Sequence, residues 1–132
     1  MTKIDVRTLY DVDSWYWDNY QPILNAFGNI VLQVDDTGWN GDSRVLYDND
    51  GTFGYLIFGW GSCSACDALR ACEDLDDVQN LCDQLQDMIK WLGTKEEALA
   101  YFRTHDLEGD YVWYDEEGRE FVNKAIEYLK EK

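Results

Sequence analysis

The sequence predicts an α+β fold, in which a short three-stranded antiparallel sheet packs with about four to five helices. Between Asn29 and Trp60, apolar runs are separated by turn signals, which is typical of strands. From Asp77 onward, apolar residues recur at intervals of three and four, which is typical of helices. The 132 residues are 45% hydrophobic and 15% aromatic. Residues 1–132 are therefore expected to form a single compact acidic domain.

The first element is a helix within residues 14–27, SWYWDNYQPILNAF. Its apolar residues fall on one helical stripe: Tyr16, Tyr20, Ile23, Leu24 and Phe27. Pro22 fits if the regular helix begins near Asn19, because proline is tolerated in the first turn.

Three strands follow, with the sequences NIVLQVDD, RVLYD and TFGYLIFGW. DDTGWNGDS separates the first pair, and NDG separates the second. We expect a meander whose second turn is tight, formed by Asp50-Gly51 or by Asn49-Asp50.

The remainder of the chain is predicted to be mostly helical. One helix is predicted over DVQNLCDQLQDMIKWLG, and Gly93 is expected to end it. The next helix is predicted to begin with a capping box formed by Thr94 and Glu97. A last helix covers roughly 116–130. The predicted buried residues of the first of these helices are Val78, Leu81, Cys82, Leu85, Met88, Ile89 and Leu92, and those of the last are Phe121, Val122, Ala125, Ile126 and Leu129.

All four cysteines lie within 20 residues, in the pattern C-x2-C-x5-C-x9-C. Cys63 and Cys66 in a glycine-flanked turn, Cys72 in a short helix begun at Asp67, and Cys82 on the next helix can complete the tetrahedron that Zn²⁺ prefers. Four thiolates leave no open position, so the zinc would be structural and would tie the sheet to the helices. His105, the single histidine, is the reserve ligand.

Two other uses of the cysteines remain open. A redox dithiol at Cys63 and Cys66 matches the thioredoxin-like order of strand, loop, Cys-x-x-Cys and helix. That fold implies a cis-proline after the motif, and no proline follows Pro22. Alternatively, Cys72 and Cys82 are ordinary core residues, or the sulfurs form disulfides. No paired nucleophile and base is evident, so we expect a binding protein and not an enzyme.

Charge restricts the expected partners. Asp and Glu number 27 against 11 Lys and Arg, for a formal net charge of −16. Such a protein repels nucleic acid and membrane surfaces and is attracted to a basic protein. The beginning of the chain lacks a secretory pattern and no apolar run reaches ~20 residues, so a reducing cytoplasm is expected.

Part of this charge is concentrated in and just before the predicted helix that contains Cys82. From Ala71 to Ile89 there are six acids and no base: Glu73, Asp74, Asp76, Asp77, Asp83 and Asp87. Asp83 and Asp87 are about 6 Å apart along a helix axis, which approaches the phosphate spacing of one nucleic-acid strand. The cluster is either a solvated helix face or a surface that binds a basic nucleic-acid-binding protein. Trp39, in the turn TGWNGD, is the candidate aromatic anchor.

The stretch GWGSCSACDAL resembles a G-x-G-S-C-S-x-C-D segment of small bacteriophage proteins. Together with the acidity and the clustered cysteines, it makes the chain similar to phage-encoded anti-CRISPR proteins, among them a zinc-containing inhibitor of the type II-A RNA-guided DNA nuclease. This resemblance implies a protein that binds a type II CRISPR nuclease in the cytoplasm of the infected bacterial host and blocks loading of target DNA. A thiol protein using Cys63 and Cys66, or a phage assembly protein, is the alternative.

Overall fold

The computed structural model describes residues 4–9, 20–35, 40–61, 68–69, 71–104 and 116–131. These residues form a single 3-10 turn at Val6–Thr8, four α-helices and four strands. In chain order they are α1 (Gln21–Ala26), β1 (Ile30–Asp35), β2 (Asn40–Asn49), β3 (Thr52–Gly61), α2 (Leu75–Met88), β4 (Lys90–Gly93), α3 (Lys95–Thr104) and α4 (Glu116–Glu131). The predicted α+β class is confirmed.

The strands form one antiparallel sheet in the order β1-β2-β3-β4. Asn49 pairs with Thr52, so Asp50 and Gly51 are the two residues of the turn between β2 and β3. Both have positive φ, 54° and 88°, as a two-residue turn of type I′ requires. The Asp48 carboxylate accepts a hydrogen bond from the Gly51 N–H at 2.9 Å. The Asp50-Gly51 alternative for this turn is confirmed.

The prediction of three strands was wrong, because the described sheet has a fourth. The helix expected to reach Gly93 ends at Met88, and Ile89 turns the chain into extended backbone with φ −64° and ψ 123°. Residues 90–93 then pair with Phe53, Gly54 and Tyr55 on β3. Apolar residues at 88, 89 and 92 fit the helical spacing, but pairing satisfies the backbone groups at an otherwise open edge of β3.

Helices cover both faces of the sheet. On the first face, which we call the α2 face, α1, α2 and Val6 pack on alternate strand residues: Val45, Tyr47, Leu56 and Phe58. On the second, the α4 face, α3 and α4 pack on the intervening ones: Leu46, Phe53 and Tyr55, with Val34 from β1. Because both faces of the sheet are buried, the sequence of β3 is a continuous apolar run and not an alternation of apolar and polar residues.

Most of the predicted inward positions of the helices are confirmed. Pro22 lies in the first turn of α1, whereas Tyr16 and Asn19 lie outside the described residues. In α2, Val78, Leu81, Cys82 and Leu85 are buried. Met88 was wrongly predicted to be buried: its side chain is 52% exposed, because the helix ends there.

The capping box of α3 is also confirmed. The Thr94 hydroxyl accepts a hydrogen bond from the Glu97 N–H at 3.3 Å, and the Glu97 carboxylate accepts from the Thr94 N–H at 3.3 Å. Gly93, just before it, has φ +97°, and a Cβ there would lie 2.8 Å from Glu97 Oε1. The residue expected to stop a helix therefore ends a strand and makes room for the cap.

Candidate functional site

Two of the four predicted zinc ligands, Cys72 and Cys82, lie in the described part of the chain. Cys82 is fully buried in the core of the α2 face, and the half-buried Cys72 packs against the same core. The Cys72 thiol donates a hydrogen bond to the Ala68 carbonyl at 3.3 Å, and its N–H donates to the Leu69 carbonyl at 3.1 Å. In the described part of this segment, residues 68, 69 and 71 form a turn in place of the predicted short helix.

The surroundings of Cys82 hold its thiol in the protonated form. Burial raises the pKa of Cys82 to about 11, and the neighbouring Asp83 carboxylate contributes in the same direction. A metal ion bound there would have to displace that proton, as zinc does when it coordinates cysteine. Cys82 is a free thiol.

The four-cysteine zinc site stays a prediction. Its donor type is suitable, and both described cysteines contact one core, but Cys63, Cys66 and the reserve ligand His105 lie outside the described residues. Within the described ranges, no group of three or more His, Cys, Asp or Glu side chains could hold a metal ion.

The α2 acidic cluster, meaning Glu73, Asp74, Asp76, Asp77, Asp83 and Asp87, is partly occupied in forming the start of α2. Asp74 is the N-cap, and its carboxylate accepts a hydrogen bond from the Asp77 N–H at 2.9 Å. The Asp77 carboxylate accepts from the Glu73 N–H at 3.0 Å. Carboxylates near a helix N-terminus are favoured by its partial positive charge, so the helix itself accounts for part of this crowding.

Asp83, another member of the cluster, accepts a hydrogen bond from Gln79. The Gln79 side chain also joins two distant parts of the chain, in a contact that we call the Gln79 clamp and that was not predicted from the sequence. The Gln79 side chain accepts a hydrogen bond from the Val6 N–H at 3.1 Å and donates to the Ile4 carbonyl at 2.6 Å. It also donates to the Asp83 carboxylate at 2.9 Å. The Gln79 amide therefore attaches residues 4–6 to α2, and Val6 is buried beside it. The partners are more than 70 residues apart along the chain, so no local pattern indicates the contact.

Three carboxylates of the α2 acidic cluster are exposed and neither cap α2 nor contact Gln79. They are Glu73, Asp76 and Asp87. The Asp76 carboxylate lies 3.7 Å from the Arg7 guanidinium. The Arg7 side chain is 64% exposed and the Asp76 side chain is 84% exposed. Exposed ion pairs contribute little to stability. These three carboxylates are therefore available to a partner at small cost to the fold.

Charge is distributed unequally between the helices of the two faces. The segment from Ala71 to Ile89, which contains α2, has six acids and no base, and α1 is uncharged. On the opposite face, α3 and α4 together have seven acids and five bases. One of the acids, Glu120, lies 3.0 Å from Lys124. The described helices of both faces are net negative, and those of the α2 face are the more negative.

Exposed apolar side chains are found at the end of this acidic segment. Trp39, the predicted anchor, lies outside the described residues. Among the described residues, the large hydrophobic side chains classed as exposed are Met88, at 52%, and Trp91, at 40%. Neither was predicted to be exposed, because Met88 falls on the apolar stripe of the predicted helix and Trp91 falls near its end.

Comparison of the chain with protein-family models, with curated proteins and with solved structures finds no significant match. Of the helices in the described ranges, none is both long enough and apolar enough to cross a membrane.

Proposed function

We propose that this protein is a non-enzymatic inhibitor that binds a basic, nucleic-acid-binding region of a partner protein through its α2 face. The observation that carries the proposal is the charge difference between the two helical layers. Six acids without a base lie from Ala71 to Ile89, whereas α3 and α4 are nearly balanced. A net charge of −16 attracts any cationic protein, and the uneven distribution favours one orientation of approach.

The type II CRISPR nuclease is the partner implied by the chain's resemblance to phage anti-CRISPR proteins, which rests on its acidity, its clustered cysteines and the phage-like stretch GWGSCSACDAL. Such nucleases hold the guide–target heteroduplex in a positively charged channel and recognise its backbone. An acidic helix in or beside that channel would exclude target DNA by occupying its binding surface. Zinc held by Cys63, Cys66, Cys72 and Cys82 would serve this function indirectly, by stabilising the start of α2.

The experiment measures binding to an immobilised nuclease–guide complex at several salt concentrations, with and without competing target duplex. We expect binding that weakens steeply as salt rises, because screening shortens the range of charge attraction to about 8 Å at physiological ionic strength. We also expect target DNA and this protein to exclude one another. Binding that is insensitive to salt, or simultaneous binding of DNA and protein, would refute the proposal.

Two charge-matched variants locate the binding surface. The first combines Glu73→Gln, Asp76→Asn and Asp87→Asn, which leave the α2 cap and the Gln79 clamp intact. The control variant combines Glu96→Gln, Glu127→Gln and Glu131→Gln, exposed residues of α3 and α4. Each removes three negative charges. At ~0.2–1 kcal/mol per exposed charge, the first should lose about tenfold in affinity at low salt and the control much less.

A further inference from the structure

Trp91 has a well-defined position on the edge strand β4. Its residue pairs with Gly54 of β3, at a point where the register of the two strands shifts. The indole ring lies so close to Gly54 that an added Cβ would be 2.6 Å from Trp91 Cε3. The missing side chain of Gly54 therefore lets the ring lie against the β3 backbone, which restricts its orientation although 40% of the residue remains exposed.

The indole ring lies on the α2 face. A Cβ at Gly54 would point to the same side as Leu56, since Phe53 and Tyr55 belong to the opposite core. The same Cβ would lie 3.1 Å from Ile89 Cγ2, and Ile89 is part of the α2-face core. Met88, the last residue of α2, precedes Ile89 directly. The exposed apolar pair is therefore at the C-terminal end of the helix that carries the acidic cluster.

Lys90, between Met88 and Trp91, is directed to the other face. Its ammonium lies 5.8 Å from the centroid of the Tyr55 ring and 5.6 Å from that of Tyr101. It also donates a hydrogen bond to the Tyr101 hydroxyl at 3.4 Å. The positive charge on β4 thus interacts with aromatic rings of the α4 face. The acidic segment that precedes Lys90, residues 71–89, contains no base.

From this arrangement we infer that Met88 and Trp91 form the apolar anchor of the α2 face, and that they bind a basic amphipathic element of a partner protein. The inference rests on the proposed function and specifies its partner: apolar side chains flanked by Lys or Arg. Charge complementarity identifies the occupant, because the acids of α2 attract the basic residues while the apolar side chains cover the indole and the thioether. A pre-ordered tryptophan loses little conformational freedom on binding, and tryptophan is enriched among residues that dominate interface energies.

The two parts of this surface have separable effects. Exposed acids mainly increase the association rate and its salt dependence. A desolvated aromatic contact mainly slows dissociation. Substitutions at Trp91 or Met88 should therefore raise the dissociation rate and leave the salt dependence of association unchanged.

The test uses two synthetic peptides with the same number of lysines: an oligolysine, and a helical peptide with leucines on one face. The wild-type protein should bind the Lys/Leu peptide at least tenfold more tightly than oligolysine. Trp91→Ala and Met88→Ala should each reduce this preference severalfold, with oligolysine affinity unchanged. Lys90→Gln is the control on the opposite face, and it should alter both affinities equally. Met88 is mostly exposed, so Met88→Ala keeps the test informative if Trp91→Ala fails to fold.

A preference for the Lys/Leu peptide that survives both substitutions overturns the inference, whatever the nuclease experiment shows. Sedimentation that reveals a wild-type dimer disrupted by Trp91→Ala also overturns it, since the occupant is then a second copy of this chain. If the preference depends on Trp91 while the nuclease fails to bind, the anchor is supported and the identity of the partner is wrong.

Discussion

Replacing Gly54 with alanine should destabilise the protein by about 1–2 kcal/mol. The new Cβ would lie 2.6 Å from Trp91 Cε3, 2.8 Å from Trp91 Cζ3 and 3.1 Å from Ile89 Cγ2. Carbon atoms in contact are best separated by about 3.5–4.0 Å, so the ring has to move away. The indole is rigid and its strand is paired with β3 at this position, so the movement disturbs the pairing as well as the ring.

Two opposing effects set the size of this change. Overpacking typically costs about 1–3 kcal/mol. Gly54 is not among the described glycines with positive φ, so alanine fits its backbone and stabilises by about 0.4–1 kcal/mol through the unfolded chain. The midpoints of these two ranges differ by about 1.3 kcal/mol, which is the net loss expected here. For a domain of this size, that lowers the Tm by about 3–10 °C.

Thermal and urea denaturation of four proteins measures the effect: wild type, Gly54→Ala, Trp91→Ala and the double variant. Without the indole ring, Gly54→Ala should cost less, because its two closest contacts, to Trp91 Cε3 and Cζ3, are absent. Gly59→Ala on the same strand is the matched control. Among the described residues, its Cβ would meet Asp42 Oδ1 at 3.5 Å and a carbonyl at 3.8 Å, both ordinary contact distances, so we expect no loss of stability.

The reasoning about Trp91 is refuted if Gly54→Ala unfolds at the same temperature as the wild type. It is equally refuted if the substitution costs as much in the Trp91→Ala background as in the wild type. Either result would mean that the ring is not held against the β3 backbone, and the argument for a pre-ordered anchor would lose its basis.

Three further predictions concern the α2 face. Gln79→Ala removes three hydrogen bonds, so it should lower the free energy of unfolding by about 1–3 kcal/mol and accelerate amide exchange at Val6. Gln84→Ala is the control at an exposed position of the same helix, and it should change neither quantity. In metal-free protein, the unfolded Cys82 thiol ionises near pH 8.5 and the folded one near 11. The contribution of Cys82 to stability should therefore be constant below about pH 8 and fall between these two values, and pH-dependent urea denaturation should show a shallower fall over this range in Cys82→Ala. If the zinc prediction holds, elemental analysis finds one zinc per chain, a chelator lowers the Tm, and Cys82→Ser loses the metal; metal-free protein with unchanged Tm would contradict it.

Several features could be predicted because neighbouring residues decide them. Asp50 and Gly51 tolerate positive φ and so form a two-residue turn in almost any surroundings. Thr94 and Glu97 exchange hydrogen bonds within one helical turn. The inward faces of α2 and α4 follow from apolar residues recurring at the helical period.

The candidate site was less predictable, because the same residues serve two purposes. An acidic run before a helix indicates an N-terminal cap as well as a binding surface, and Asp74 and Asp77 proved to be capping residues. Asp87, which is exposed near the other end of α2, stays a candidate for partner contact. The total charge follows from the composition, but its distribution between the two sides of the sheet depends on the fold.

Tertiary contacts decided the remaining features. Residues 90–93 suit a helix or a strand equally well, and the open edge of β3 made them a strand. That choice placed Trp91 over Gly54, and a contact across the whole fold joined Gln79 to Ile4 and Val6. Local hydrogen bonds and periodicity need only a few neighbouring residues, so they can be read directly from the chain. Strand pairing and packing depend on residues that become neighbours only when the chain folds.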